Sequence, residues 1–152
     1  MVTRMRNRAA TWVHLVFATI IVLAVPLQVY FIASYFSGAG EGALDAHGFT
    51  GGLIVHGSEL LVFLSSLVAF WGFWRWIGWS FLLFVLGTVQ IFLAPPDEDP
   101  ASGWVHGLHG LGALLVFLLA AWLAYRDARL LGLIGPRTET APVAGPPAQP
   151  PA

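Results

Sequence analysis

Four apolar stretches joined by short connections leave this chain essentially one architecture. They run over residues 12–36, 48–74, 77–94 and 104–125, and a helix crossing hydrocarbon needs roughly 20 apolar residues. Inside lipid every backbone polar group must find its partner within the span, and short connections make neighbouring spans antiparallel. The expected fold is therefore all-α, an integral membrane four-helix antiparallel bundle over residues 12–126. Composition agrees, with 57% hydrophobic and 10% charged residues among 152 and a mean hydropathy of +0.76, so a large soluble domain has no room. The opening "MVTRMRNR" looks like the basic start of a signal peptide. The apolar run behind it is, however, longer than the roughly 7–15 residues such a peptide uses, so residues 1–11 read as a retained basic N-terminus. From Pro136 the chain is rich in Pro and Ala without periodicity, which predicts a disordered tail over residues 136–152.

The charges sort by side. Arg4, Arg6 and Arg8 precede the first span, Arg75 lies between the second and third, and Arg126, Arg129 and Arg137 follow the fourth. The opposite connections carry Glu41, Asp45, Asp97, Glu98 and Asp99 and no Lys or Arg. Basic residues stay on the cytoplasmic side of short-loop membrane proteins, which predicts a multi-pass protein of the cell membrane with both termini in the cytoplasm. Trp12, Trp71, Trp74, Trp76, Trp79, Trp104, Trp122 and Tyr125 fall near span ends, where amphipathic rings meet headgroups.

Polar side chains inside the spans are few, and such groups face the bundle interior or mark a site. They are His14 and Gln28 in the first span, His56 and Glu59 in the second, Gln90 in the third, and His106 and His109 in the fourth; His47 stands just before the second. His14, close to the arginines, reads as an interfacial residue. Counting from Arg75 and Arg126 puts His56, His106 and His109 at one depth, in the outer part of the bundle. His47 falls in the outer interface, and at about 100° per residue its nine-residue separation from His56 would turn the two to opposite sides. His56 and Glu59 share a helix face, as do His106 and His109. A weak internal repeat relates the halves: "Q28-V-Y-F" followed by His47 and His56 is echoed by "Q90-I-F-L" followed by His106 and His109, and "LLVFL" occurs at 60–64 and 114–118. Two such hairpins would oppose the histidines of the second and fourth spans.

The absence of cysteine removes thiolate chemistry. No serine elbow, phosphate loop or nucleic-acid patch is visible, so an enzymatic role would need a bound cofactor. Opposed imidazoles can supply both axial ligands of a haem, and Gly48, Gly51, Gly52, Gly57, Gly107, Gly110 and Gly112 would leave room for the macrocycle. Close helix packing through small residues accounts for the same glycines. Gln28 and Gln90 could line such a pocket or hold propionates. Pro26 would kink the first span.

Gln near the end of one helix and His at the start of the next, twice in four helices, resembles one half of the haem A synthase family and, more loosely, cytochrome b561-type bundles. In place of the synthase pattern Glu-His-x-His-Arg stands "V55-H56-G57-S58-E59". The layout of Gln28, His47, His56, Gln90, His106 and His109 also resembles a family of small four-helix actinobacterial membrane proteins, the DUF6220 type. The resemblance implies a b-type haem held by His56 with His106 or His109, and a role in membrane electron transfer with a redox partner or a quinone. Two alternatives remain open. His56, Glu59, His106 and His109 could form a divalent-metal site, or the same groups could fix helix register in a cofactor-free structural or partner-binding subunit.

Overall fold

The computed structural model describes residues 7–94 and 103–135, and within them the chain forms helices and no strand. Helix α1 (Arg8–Ser34) starts where the side chain of Asn7 accepts a hydrogen bond from the Ala10 amide at 3.1 Å, satisfying one of the helix's orphan donors. It continues through Pro26. A π-helical turn, Tyr35–Ala39, carries it to a reversal at Gly38 and Gly40, whose φ values of 92° and 83° are those glycine alone adopts cheaply. Helix α2 (Glu41–Phe49), a second π-helical segment (Thr50–His56) and α3 (Gly57–Ala69) follow as one continuous rod. A turn through Gly72 leads to α4 (Trp74–Leu93), and α5 (Gly103–Leu130) completes the bundle. At its end the Leu133 amide reaches the Ala128 carbonyl and the Gly132 amide that of Arg129, with Gly132 at φ 77°, the pairing that closes a helix on a left-handed glycine.

Four rods are long and apolar enough to cross a bilayer: Arg8–Ala39, Glu41–Ala69, Trp74–Leu93 and Gly107–Leu130. This is a multi-pass membrane protein with the expected all-α, four-helix architecture. The second rod departs from expectation by beginning at Glu41 rather than near residue 48, so that His47 lies within a helix. The stretch "EGALDAHGF" reads as loop because of its glycines and acids, yet once Gly40 makes the turn nothing in it prevents a helix, and Glu41 sits favourably in its first turn. The segment 95–102, the tail from Pro136 and the side chain of His106 lie outside the described residues.

Around the bundle α1 packs on α3 and α5, and α4 packs on the same two, so the second and fourth spans face each other on a diagonal. The centre is filled by Ala18, Ile21, Val25, Val62, Leu83, Val116, Ala120 and Leu123. Ile21, Val62, Leu83 and Ala120 are fully buried, one from each span. They form an apolar layer that divides two polar sites, because on α1 Ile21 lies two helical turns from both His14 and Gln28.

Candidate functional site

At the end of the bundle that carries Glu41 and Asp45, the central layer gives way to a partly open cavity of about 290 Å³ to which all four spans contribute. Its mouth is framed by Gln28 and His47 on one side and Gln90 and His109 on the other. The two pairs are built alike. His47 Nδ1 donates to the Gln28 carbonyl at 3.0 Å and His109 Nδ1 to the Gln90 carbonyl at 3.1 Å, each across 19 residues. The Gln28 amide also returns a hydrogen bond to the His47 carbonyl at 2.9 Å. A proton held on Nδ1 by a carbonyl leaves the lone pair of a neutral imidazole on Nε2. The two rings stand 6.2 Å apart between centroids, at an interplanar angle of 59°.

The opposed histidines are thus His47 and His109, and the internal repeat extends further than the motifs that reveal it. Gly51 faces the Gln28 amide, 3.1 Å from where a Cβ would stand, and Gly112 faces that of Gln90. His47 and Gly51 are four residues apart where His109 and Gly112 are three. The extra residue falls where the π-helical segment begins. A π bulge absorbs one residue without rotating the flanking helix, so His47 and His56 are turned by about eight helical steps rather than nine. This corrects the expectation that they face opposite sides: both line the cavity.

The glycines divide into two groups. A Cβ on Gly48, Gly52 or Gly110 would meet no atom within 4 Å, although all three line the cavity, so they leave space rather than let helices touch. Gly87 and Gly112 are the reverse, since a Cβ on either would overlap the side chain of Glu59 or Gln90. Glu59 is wholly buried and accepts a hydrogen bond from His56 Nδ1 at 3.0 Å through Oε2. Its Oε1 and the Oε1 of Gln90 have no hydrogen-bond partner among the described residues. Among those residues no three His, Asp or Glu side chains converge as a metal site; the divalent-metal alternative also uses His106, whose side chain lies outside them.

The other end of the bundle holds a polar cluster that the sequence did not suggest. His14, read as interfacial, is fully buried; its Nδ1 pairs with Asp127 Oδ2 and its Nε2 lies 2.9 Å from Ser80 Oγ. Arg126, read as a cytoplasmic flank, is also buried. Its guanidinium bonds the other carboxylate oxygen of Asp127 at 2.6 and 2.9 Å and lies over the rings of Phe70 and Trp76 at 4.4 and 4.7 Å. The sequence signal for Asp127 was the face Val116, Ala120, Leu123, which continues one turn further to it. Ser80, His14 and Asp127 are bonded in the order of a hydrolase triad. Ser80 is wholly buried, no part of the cluster lines the cavity, and its hydroxyl also lies within 3.3 Å of the Trp76 carbonyl. The cluster ties α1, α4 and α5 to one another.

The chain matches no family model, no curated protein and no solved structure.

Proposed function

We propose that this protein holds a b-type haem between His47 and His109, at the outer face of the cell membrane, and serves in membrane electron transfer. The spacing of the two rings carries the reading. Two metal–imidazole bonds of about 2 Å each, with about 1.1 Å from each nitrogen to its ring centre, put the centroids of two axial histidines about 6 Å apart. His47 and His109 already stand at 6.2 Å. A haem held by His47 and His109 would supply one-electron exchange there.

The chain's own residues supply what such a ligand pair requires. The carbonyls of Gln28 and Gln90 hold both histidines in the tautomer that presents Nε2, the orienting contact common behind metal-bound imidazoles. Gly48, Gly52 and Gly110 keep the space beside the rings clear, and the apolar layer of Ile21, Val62, Leu83 and Ala120 closes the pocket from the opposite half of the bundle. His56 is assigned a different part, because its Nδ1 is engaged by Glu59 rather than by a backbone carbonyl. The arginines at one end support a reading with both termini in the cytoplasm and the pocket outside. A single pocket near one face cannot carry charge across the bilayer alone, so a redox partner or a quinone completes the function.

Optical spectra of the detergent-purified protein, oxidised and dithionite-reduced, test the reading. The expected result is a sharp low-spin b-type spectrum that His47→Ala or His109→Ala abolishes and His56→Ala retains. A colourless protein reconstituted with haemin and still without a low-spin spectrum would sink it, leaving the register-fixing structural role.

A further inference from the structure

Below the mouth of the cavity lies a second set of groups that the haem ligands do not use. His56 Nδ1 donates to Glu59, which fixes the lone pair on Nε2, and that nitrogen has no hydrogen-bond partner among the described residues. The His56 side chain is 23% exposed and lines the cavity. Beside it are the unpartnered Oε1 atoms of Glu59, itself fully buried, and of Gln90. His56 Nε2 and Gln90 Oε1 are acceptors. Leaving a buried acceptor unpaired costs about 1–3 kcal/mol, so the complementary ligand is one that brings donors.

The surroundings narrow the class. The His56 ring, which lines the cavity, is backed by Phe84 at 5.2 Å and 19°, and Phe84 by Phe63 at 6.1 Å and 16°. Apart from the Gln28, His47 and His109 side chains at the other level, the remaining lining is aliphatic or glycine and, but for Ala94, lies within the membrane spans. A ligand reaching it travels in lipid. An anion would meet acceptors and a desolvated, apolar surround, and a sugar would leave most of its hydroxyls facing hydrocarbon. A small apolar ring that carries hydroxyl donors fits these features. We propose that the His56–Glu59 pair binds a lipid-soluble hydroquinone, one ring hydroxyl donating to His56 Nε2. The assignment rests on the electron-transfer reading, which calls for a reductant that moves within the membrane. It carries its own selectivity: the oxidised quinone has only acceptors, and would meet acceptors.

Calorimetric titration of the full-length protein in lipid nanodiscs with tetramethylhydroquinone, and separately with the corresponding quinone, decides the matter. The expected result is saturable binding of the hydroquinone at least tenfold tighter than the quinone. His56→Phe, which keeps the stack on Phe84, should weaken it tenfold or more, and the ¹⁵N resonance of His56 Nε2 in the unmodified protein should shift on adding hydroquinone. Equal or tighter binding of the quinone, an unmoved His56 resonance, or undiminished binding by folded His56→Phe overturns the proposal. An absorption spectrum of the same sample separates the two readings. A haem-bearing protein indifferent to hydroquinone refutes this site alone, and a protein that binds hydroquinone yet takes up no haem refutes the haem reading alone.

Discussion

Glu59 and Gly87 share one space: the carboxyl of Glu59 lies where a Cβ on Gly87 would stand. A charged-type residue is accommodated in the centre of the bundle only because the facing helix gives up a side chain. Gly87→Ala should therefore displace Glu59 and cost about 1–3 kcal/mol, the range for overfilling a packed interior. Glu59→Ala combined with Gly87→Ala should recover most of that loss. Gly48→Ala, which would meet nothing within 4 Å, should leave stability unchanged. Thermal unfolding of the three variants in detergent checks the ranking, and equal losses for Gly87→Ala and Gly48→Ala would contradict it.

At the opposite end, His14, Asp127 and Arg126 depend on one another. Asp127 is fully buried between a guanidinium and an imidazole, so Asp127→Ala removes the carboxylate that Arg126 and His14 share. Removing one member of a buried pair typically costs about 3–5 kcal/mol. His14→Ala should cost less, and the double variant should fall short of the sum by about 1–3 kcal/mol, as for groups in one network. Denaturant unfolding of the four proteins in the cycle measures this coupling. Additive losses would mean that the cluster does not act as a unit.

What could be read from the sequence divides along physical lines. The number of spans and the fold class were legible because they depend on the length and polarity of segments, which no packing detail alters. The candidate residues Gln28, His47, Gln90 and His109 were legible as a repeated Gln-then-His spacing. Their pairing was not, because depth counted along an ideal helix assumes 100° per residue and the segment Thr50–His56 does not obey it. "LLVFL" does not belong to the repeat, since its two copies do not sit in the register that relates the two Gln–His pairs. His14 and Asp127 were hidden by their place near arginines, where polar residues usually meet water.

The chain contains no cysteine, which makes its orientation directly measurable. Asp45→Cys lies in α2 beside the pocket mouth, and Arg129→Cys near the end of α5. If both termini lie in the cytoplasm, as proposed, a membrane-impermeant maleimide added to intact cells should label the cysteine at 45 and reach that at 129 only after lysis. The reverse pattern would place the pocket on the cytoplasmic side.

The π-helical segment offers the sharpest test of the internal repeat. If Thr50–His56 holds one residue more than its counterpart in α5, the extra residue is the one a π bulge stores, and removing it restores a regular helix with the flanking faces unturned. Leu53 is largely exposed at 61% and does not line the cavity, so its deletion removes no contact of the pocket. Deleting Leu53 should keep His47 opposite His109 and leave haem uptake and melting temperature close to those of the parent. Deleting Leu61, in the regular helix α3, should turn everything on one side of it by about 100° and separate His47 from His109 and Glu59 from Gly87. Spectra and melting curves of the two deletions read the difference. Equal damage from both would mean that the bulge is not the stored residue, and that the likeness of the two halves stops at the histidines.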